Sequence, residues 1–322
     1  MAWPGANAGF PIICQRSGGI ERSSEVHATD ATISAGSANI VAEPKLPKSV
    51  LKLADEERFL LWVDLQAGKL HLLERNASGG METRQVLPIS IGKNGFGKLV
   101  EGDLKTPVGV YRLTSFLADE LLIDFYGLGA FPLNYPNVID RQQRRTGSGI
   151  WLHGLPKGMD SRPFLDSDGC VVIDNESLQE MQQYITTGIT HMVLSDEPLS
   201  WIPSHQAESR SAQLDQAFTA WQEAWESKNN EAYLAFYADD FNDFSRHKTE
   251  WSDYKSRVNN GKSWIRVDTS KVSFYADLKQ SDLVTVRYYQ DYESSNYNWR
   301  GWKEQLWRES SDGWQIIYEG NG

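Results

Sequence analysis

Residues 58–75 read RFLLWVDLQAGKLHLLER, two apolar runs around Ala67-Gly68, and this pattern predicts a β-hairpin. Further strands are predicted over 85–91, 108–113, 150–153, 169–173 and 191–194. Residues 175–184 predict a helix capped by Asp174 or Asn175. After residue 213 the pattern changes. Leu214, Phe218, Trp221 and Trp225 recur at helical spacing, and shorter helices are predicted over 231–237 and 251–258. Four strand patterns follow, over 264–275, 283–292, 301–309 and 314–319, with Asp312-Gly313 as a turn before the last. The fold class is therefore mixed: a mainly β unit, then an α+β unit with a curved antiparallel sheet.

Boundaries are read near residue 45, where small and polar residues give way to PKLPKSVLKL, and in DEPLSWIPSHQAESRSAQ (196–213). This divides the chain into a tail (1–45), a first folded unit (46–200) and a second (201–322). The tail has no lysine-rich start and no apolar run long enough for a signal peptide. It is read as a disordered tail, or as a misassigned or processed start. Its Cys14 lacks the lead of a lipoprotein cleavage site. No run of about 18 apolar residues, the length of a membrane span, occurs.

Composition narrows the function classes. The 322 residues carry a net charge of −11, which argues against a nucleic-acid binder, since phosphate neutralisation needs a basic face. With 40% hydrophobic residues and 12 Trp, 13 Tyr and 12 Phe, the chain can build packed cores. Two cysteines make no disulfide framework, and no metal-ligand spacing accompanies them.

The chemistry concentrates in WLHGLPKGMDSRPFLDSDGCVV, residues 151–172. Cys170 follows a glycine in a polar turn, an unusual setting for a structural cysteine. A thiol nucleophile needs a base, and His153 is one. Backbone N–H groups of Gly169 and Cys170 are candidate donors to an oxyanion. Alternation places Trp151 on the same side of its strand as His153, as a pocket wall or a core residue. Tyr135, before Pro136, is a candidate substrate contact. Arg141, Arg144 and Arg145 read as a solvated basic loop, His191 as structural, and Asp166 and Asp168 as outward-pointing.

His-Gly followed by Ser-x-Gly-Cys resembles the L,D-transpeptidase (YkuD-like) catalytic domain. Gly92-Lys93 and the Thr-Pro-x-Gly of GDLKTPVGVYRL (102–113) match further segments of that family, over roughly residues 55–197. The resemblance implies Cys170 as nucleophile, His153 as base and the Gly154 carbonyl as the group that orients the ring. Ser167 and Gly169 match the residues before the nucleophile. One departure is Val172, where many members have arginine. The overall arrangement, with FPLNYPN at 131–137, resembles the Csd6-like branch, in which an NTF2-like cone follows the catalytic domain.

That branch implies L,D-carboxypeptidase trimming of peptidoglycan stem tetrapeptides through a thioacyl-enzyme, linked to cell shape. It also implies no cofactor or metal, a periplasmic or envelope location, and a homodimer. Cross-linking L,D-transpeptidation and a non-catalytic cell-wall-binding scaffold remain alternatives. In the second unit, Trp221, Trp225, Trp302 and Trp314 either fill the cone or line a pocket for an unknown ligand.

Overall fold

A computed structural model describes residues 43–322. The reading of a disordered or processed tail and that of Cys14 fall on residues 1–42 and lie outside the described residues. The first elements are β1 (Lys45–Pro47), β2 (Val50–Lys52), β3 (Phe59–Asp64), β4 (Lys69–Arg75), β5 (Met81–Pro88) and β6 (Ile91–Gly92). Next come β7 (Gly109–Arg112), β8 (Leu117–Ala118), β9 (Gly129–Pro132), α1 (Val138–Gln142), β10 (Trp151–His153), β11 (Leu165–Ser167) and β12 (Val171–Val172). Then α2 (Asn175–Met181), β13 (His191–Ser195) and β14 (Trp201–Pro203) lead to the second unit. No helix among the described residues is long and apolar enough to cross a membrane.

The expected hairpin is β3–β4, at the centre of a five-stranded sheet ordered β5-β4-β3-β13-β7. The run FLLWVD does not alternate, because both faces of β3 are covered. Leu61 and Val63 enter the core of the first unit. Leu60 and Trp62 enter a separate core shared with Ala207 and Tyr275 from the far end of the chain. A second sheet, β12-β10-β9-β8, and the parallel pair β11-β6 stand beside it and carry the site. The strand expected over 85–91 is broken: β5 ends at Pro88, and Ser90 turns to exchange backbone hydrogen bonds with Val172.

The second unit comprises α3 (Ser204–Glu226), α4 (Asn230–Ala235), α5 (Lys248–Asn260), β15 (Ile265–Ala276), β16 (Leu283–Ser294), β17 (Asn298–Ser310) and β18 (Gly313–Asn321). Leu214, Phe218, Trp221 and Trp225 form one buried stripe of α3, as their spacing predicts. The helix begins ten residues before Leu214, because small residues such as Ala207 and Ser211 bury its first turns without an apolar signal. The sheet order is β18-β17-β16-β15-β2, so residues 50–52, assigned from sequence to the first unit, form the edge strand of the second unit's sheet. Likewise β1, beginning inside the expected tail, pairs with β14.

One expectation about this unit changes. Trp221, Trp225 and Trp314 are buried in its core, but Trp302 packs on Tyr289 and lies 3.6 Å under the Arg287 guanidinium, outside that core. The cone also holds a cavity of about 450 Å³ that is not purely apolar: Lys255, Lys262 and Lys303 share its wall with Trp225, Tyr292 and Trp299. Burial lowers the pKa of Lys255, whose ammonium sits 4.5 Å from the Trp225 ring and 4.6 Å from that of Trp251.

Candidate active site

His153 ends β10, and its residue pairs with Val172 on β12 in parallel and with Ala130 on β9. The parallel register brings His153 beside the strand that leaves Cys170. The imidazole Nδ1 lies 2.7 Å from the Gly154 carbonyl oxygen, within its own chain turn. That contact places the proton on Nδ1 and leaves Nε2 as the basic nitrogen. Nε2 is buried and has no hydrogen-bond partner among the described residues. A Cβ at Gly154 would meet Asn175 Oδ1 at 2.1 Å, so no larger residue fits there. Asn175 braces this turn, accepting from Leu128 N–H and donating to the Leu155 carbonyl.

Cys170 sits at the mouth of a short loop whose shape is set by Ser167 and Gly169. The Ser167 hydroxyl donates to the Cys170 carbonyl at 2.6 Å and accepts from Gly169 N–H at 3.1 Å. Gly169 has φ +128, and a Cβ there would meet the Lys105 carbonyl at 2.8 Å, so the loop requires glycine. The Gly-Lys and Thr-Pro-x-Gly segments form the platform under it. Thr106 Oγ1 accepts from Gly92 N–H, and Lys93 N–H donates to the Ser167 carbonyl. Between them Asp103 accepts from Lys98 Nζ and from the N–H groups of Leu99, Val100 and Lys105. These bonds outweigh burial and hold its carboxyl down at about 2.

One expectation about donors is corrected. Gly169 N–H is already spent on Ser167, so it is not free for an oxyanion; the Cys170 N–H has no partner among the described residues. Tyr135 is also corrected. It is buried in the core with its hydroxyl on the Thr146 carbonyl and its ring against Tyr111, which withdraws it from substrate contact. Arg145 is no solvated loop residue but pairs with buried Asp140 at 2.9 Å, and Arg141 lies over the Phe244 ring of the second unit.

Trp151 and His153 share one side of β10, as alternation requires, and a single ring touches both. Tyr126 lies 4.7 Å from Trp151 and 5.2 Å from His153. Phe125 stands 6.0 Å from His153 on its other flank. Neither residue was singled out in the sequence, because the segment over 114–128 has no periodic pattern and only short turns. Asp168 is exposed and pairs with Lys93, and Asp166 pairs with Arg162.

Electrostatically the resting site is neutral. Burial pushes the His153 imidazole down to about 4, with its Gly154 bond opposing and the Arg162 charge adding to the shift. Burial likewise pushes the Cys170 thiol up to about 11; the Trp151 backbone hydrogen bond opposes this and Asp168 reinforces it. Thiol and imidazole thus rest uncharged and not hydrogen-bonded to each other: Cys170 Sγ donates to the Gly149 carbonyl at 3.4 Å, and His153 Nε2 has no partner among the described residues.

The strands define a two-module protein, a mainly β unit of the L,D-transpeptidase type leading into an NTF2-like cone. Residues 58–194 match the L,D-transpeptidase catalytic domain (YkuD), and residues 213–320 match the Cds6 C-terminal NTF2-like domain. The chain belongs to the L,D-transpeptidase family and, within it, to the branch carrying that C-terminal domain. Bd1075 of Bdellovibrio bacteriovorus is similar over 86% of this chain and 98% of its own, with 30% identity and a TM-score of 0.68. Pgp2 of Campylobacter jejuni, a helical cell shape determining protein, is similar over 85% of this chain and 96% of its own, with 24% identity and a TM-score of 0.67. A mutant form of Pgp2 gives 25% identity and a TM-score of 0.68, over 85% of this chain and 94% of its own. No curated protein matches.

Proposed function

We propose that this protein is an L,D-carboxypeptidase that trims peptidoglycan stem tetrapeptides through a Cys170 thioacyl intermediate. The observation that carries the reading is the unpartnered, buried Nε2 of His153, left unprotonated by the Nδ1 contact with Gly154, on the strand beside Cys170. As the Cys170 sulfur attacks the carbonyl of the third residue, His153 Nε2 takes the thiol proton. The Cys170 N–H donates to the oxyanion. Collapse breaks the amide bond, and His153 returns the proton to the leaving amine of D-alanine. Water, deprotonated by the same nitrogen, then cleaves the thioester to a tripeptide carboxylate and a free thiol.

At pH 7 the imidazole is unprotonated, and so in the form that can accept the thiol proton. The family's substrate implies an envelope or periplasmic location, and the likeness to Pgp2 supports a role in cell shape. A mass-spectrometric time course on disaccharide tetrapeptide, with and without an amine acceptor, tests the reaction. Loss of one alanine, abolished by Cys170→Ala, is the expected result. A product joined to the acceptor would assign transpeptidation instead. Undiminished trimming by Cys170→Ala would sink the mechanism.

A further inference from the structure

The family's arginine two positions after the nucleophile is replaced by Val172, which is buried on β12 and bonded through its backbone to Ser90. A stem tetrapeptide ends in a carboxylate, which a cation close to the scissile bond would hold. Of the cations around the site, Lys93 is paired with Asp168, Lys98 with Asp103, and Arg145 with Asp140, while Lys105 is half-buried and makes no ion pair among the described residues. Arg162 differs. Its side chain is 6% exposed, its Nε donates to Asp166 Oδ2 at 2.7 Å, and its Nη2 donates to the Asp166 carbonyl. Its Nη1 is buried with no partner among the described residues.

The position of this guanidinium is fixed from both sides. Asp166 is the residue before Ser167, whose hydroxyl holds the Cys170 loop. On the other side the Arg162 guanidinium lies 5.4 Å from the Phe125 ring, which stands 6.0 Å from His153. Phe125 is 42% exposed and sits on a single turn (Asp124–Tyr126), so the ring over this guanidinium is a surface ring. A bidentate anchor to Asp166 leaves the fork rigid, with both N–H groups of Nη1 to spend on an incoming anion.

We propose that Arg162 is the residue that reads the C-terminal carboxylate of the substrate, supplying from the segment before β11 the cation that Val172 lacks. The assignment rests on the carboxypeptidase reading of the site. It makes the enzyme an exopeptidase by electrostatics: a chain end with a free carboxylate is accepted, and a blocked end is discriminated against.

The test compares a stem tetrapeptide ending in free D-alanine with the same peptide ending in D-alaninamide. Binding is measured by calorimetry to Cys170→Ala protein, and turnover is measured with the intact enzyme. The acid is expected to bind at least about 10-fold tighter than the amide, as a charge-assisted pair requires. Arg162→Gln in the Cys170→Ala protein should bring the two peptides level, and Arg162→Lys should keep part of the difference. Thermal melting, and alkylation mapped to Cys170 in the single Arg162→Gln variant, show that the loop is intact.

Equal affinity for acid and amide in the Cys170→Ala protein overturns the assignment, as does discrimination that survives Arg162→Gln or an absence of binding by both peptides. If acid and amide are cleaved with equal kcat/KM, the hydrolytic reading stands and Arg162 falls. If the acid binds selectively but no alanine is released, the hydrolytic reading falls and the Arg162 assignment stands.

Discussion

The Tyr275 hydroxyl donates to Glu57 Oε1 at 2.7 Å, joining residues 218 positions apart. The same carboxylate accepts from His191 N–H, sits 2.6 Å from His191 Nδ1, and accepts from the Ser273 hydroxyl at 2.9 Å. Glu57 is 1% exposed, and its bonds outweigh the cost of burial and keep its pKa below the usual carboxylate range. Strands β13 and β15, from different units, are therefore tied to one buried charge.

Removing one partner of this cluster should cost more than a surface bond. Tyr275→Phe is expected to lower unfolding stability by about 1–2 kcal/mol. Glu57→Ala should cost about 3–5 kcal/mol, because four groups on three residues lose their acceptor at once. The double variant should lose less than the sum. Urea melts read all three, and a Glu57→Ala protein as stable as the parent would show that the cluster is not a joint.

Acid should weaken the fold in two separate windows. His153, with a folded pKa of about 4, binds fewer protons than the unfolded chain between roughly pH 6.5 and 4. Stability therefore falls as pH drops through that window, by about 3 kcal/mol in total. Glu57, with its lowered pKa, adds a loss only further down, as pH falls from its unfolded value through its folded one. His153→Gln should reduce the slope of the upper window, where burial also lowers His71, and leave the lower; an unchanged upper slope would contradict the imidazole's buried neutrality.

Thiol reactivity gives an independent reading of the resting charge state. With the Cys170 pKa at about 11, the alkylation rate with iodoacetamide should climb through pH 9 and 10 without a plateau. An ordinary exposed cysteine levels off above about pH 8.5. Rapid alkylation at pH 7 would mean that the protein holds a thiolate–imidazolium pair instead.

The two site glycines should prove intolerant of even a methyl group. Gly169→Ala forces a side chain to φ +128 against the Lys105 carbonyl and displaces the nucleophile loop. It is expected to cost about 1–3 kcal/mol and to lower kcat by at least about 100-fold. Gly154→Ala drives a methyl into Asn175 Oδ1 and should tilt the His153 ring. Wild-type rates in either variant would show that the loop tolerates what the geometry forbids.

The parts legible from sequence were those carried by local pattern. His153 and Cys170 stand out by residue type and spacing, the β3–β4 hairpin by its turn, and the α3 stripe by periodicity. What stayed hidden depends on partners far along the chain. Tyr126 and Phe125 flank His153 from a segment with no periodicity. Tyr135 looks like a loop aromatic until the Thr146 carbonyl takes its hydroxyl. Glu57 reads as a surface charge beside Glu56 until His191, Ser273 and Tyr275 enclose it. The short edge strand β2 carries no mark that its hydrogen bonds go to β15 rather than to its neighbours in sequence.

That edge strand has a bearing on biosynthesis. Residues 50–52 leave the ribosome early, yet Val50 and Lys52 pair with Tyr275 and Phe274, which are made more than two hundred residues later. The L,D-transpeptidase unit can close its own sheet first, because β3 to β7 and β13 are complete by then. During that interval the Val50–Lys52 segment lacks its sheet partner and the Leu60–Trp62 face lacks Tyr275, a sticky patch on a nascent chain. Truncation before β15 would make that exposure permanent, so a prematurely terminated product is a substrate for quality control rather than a smaller working enzyme.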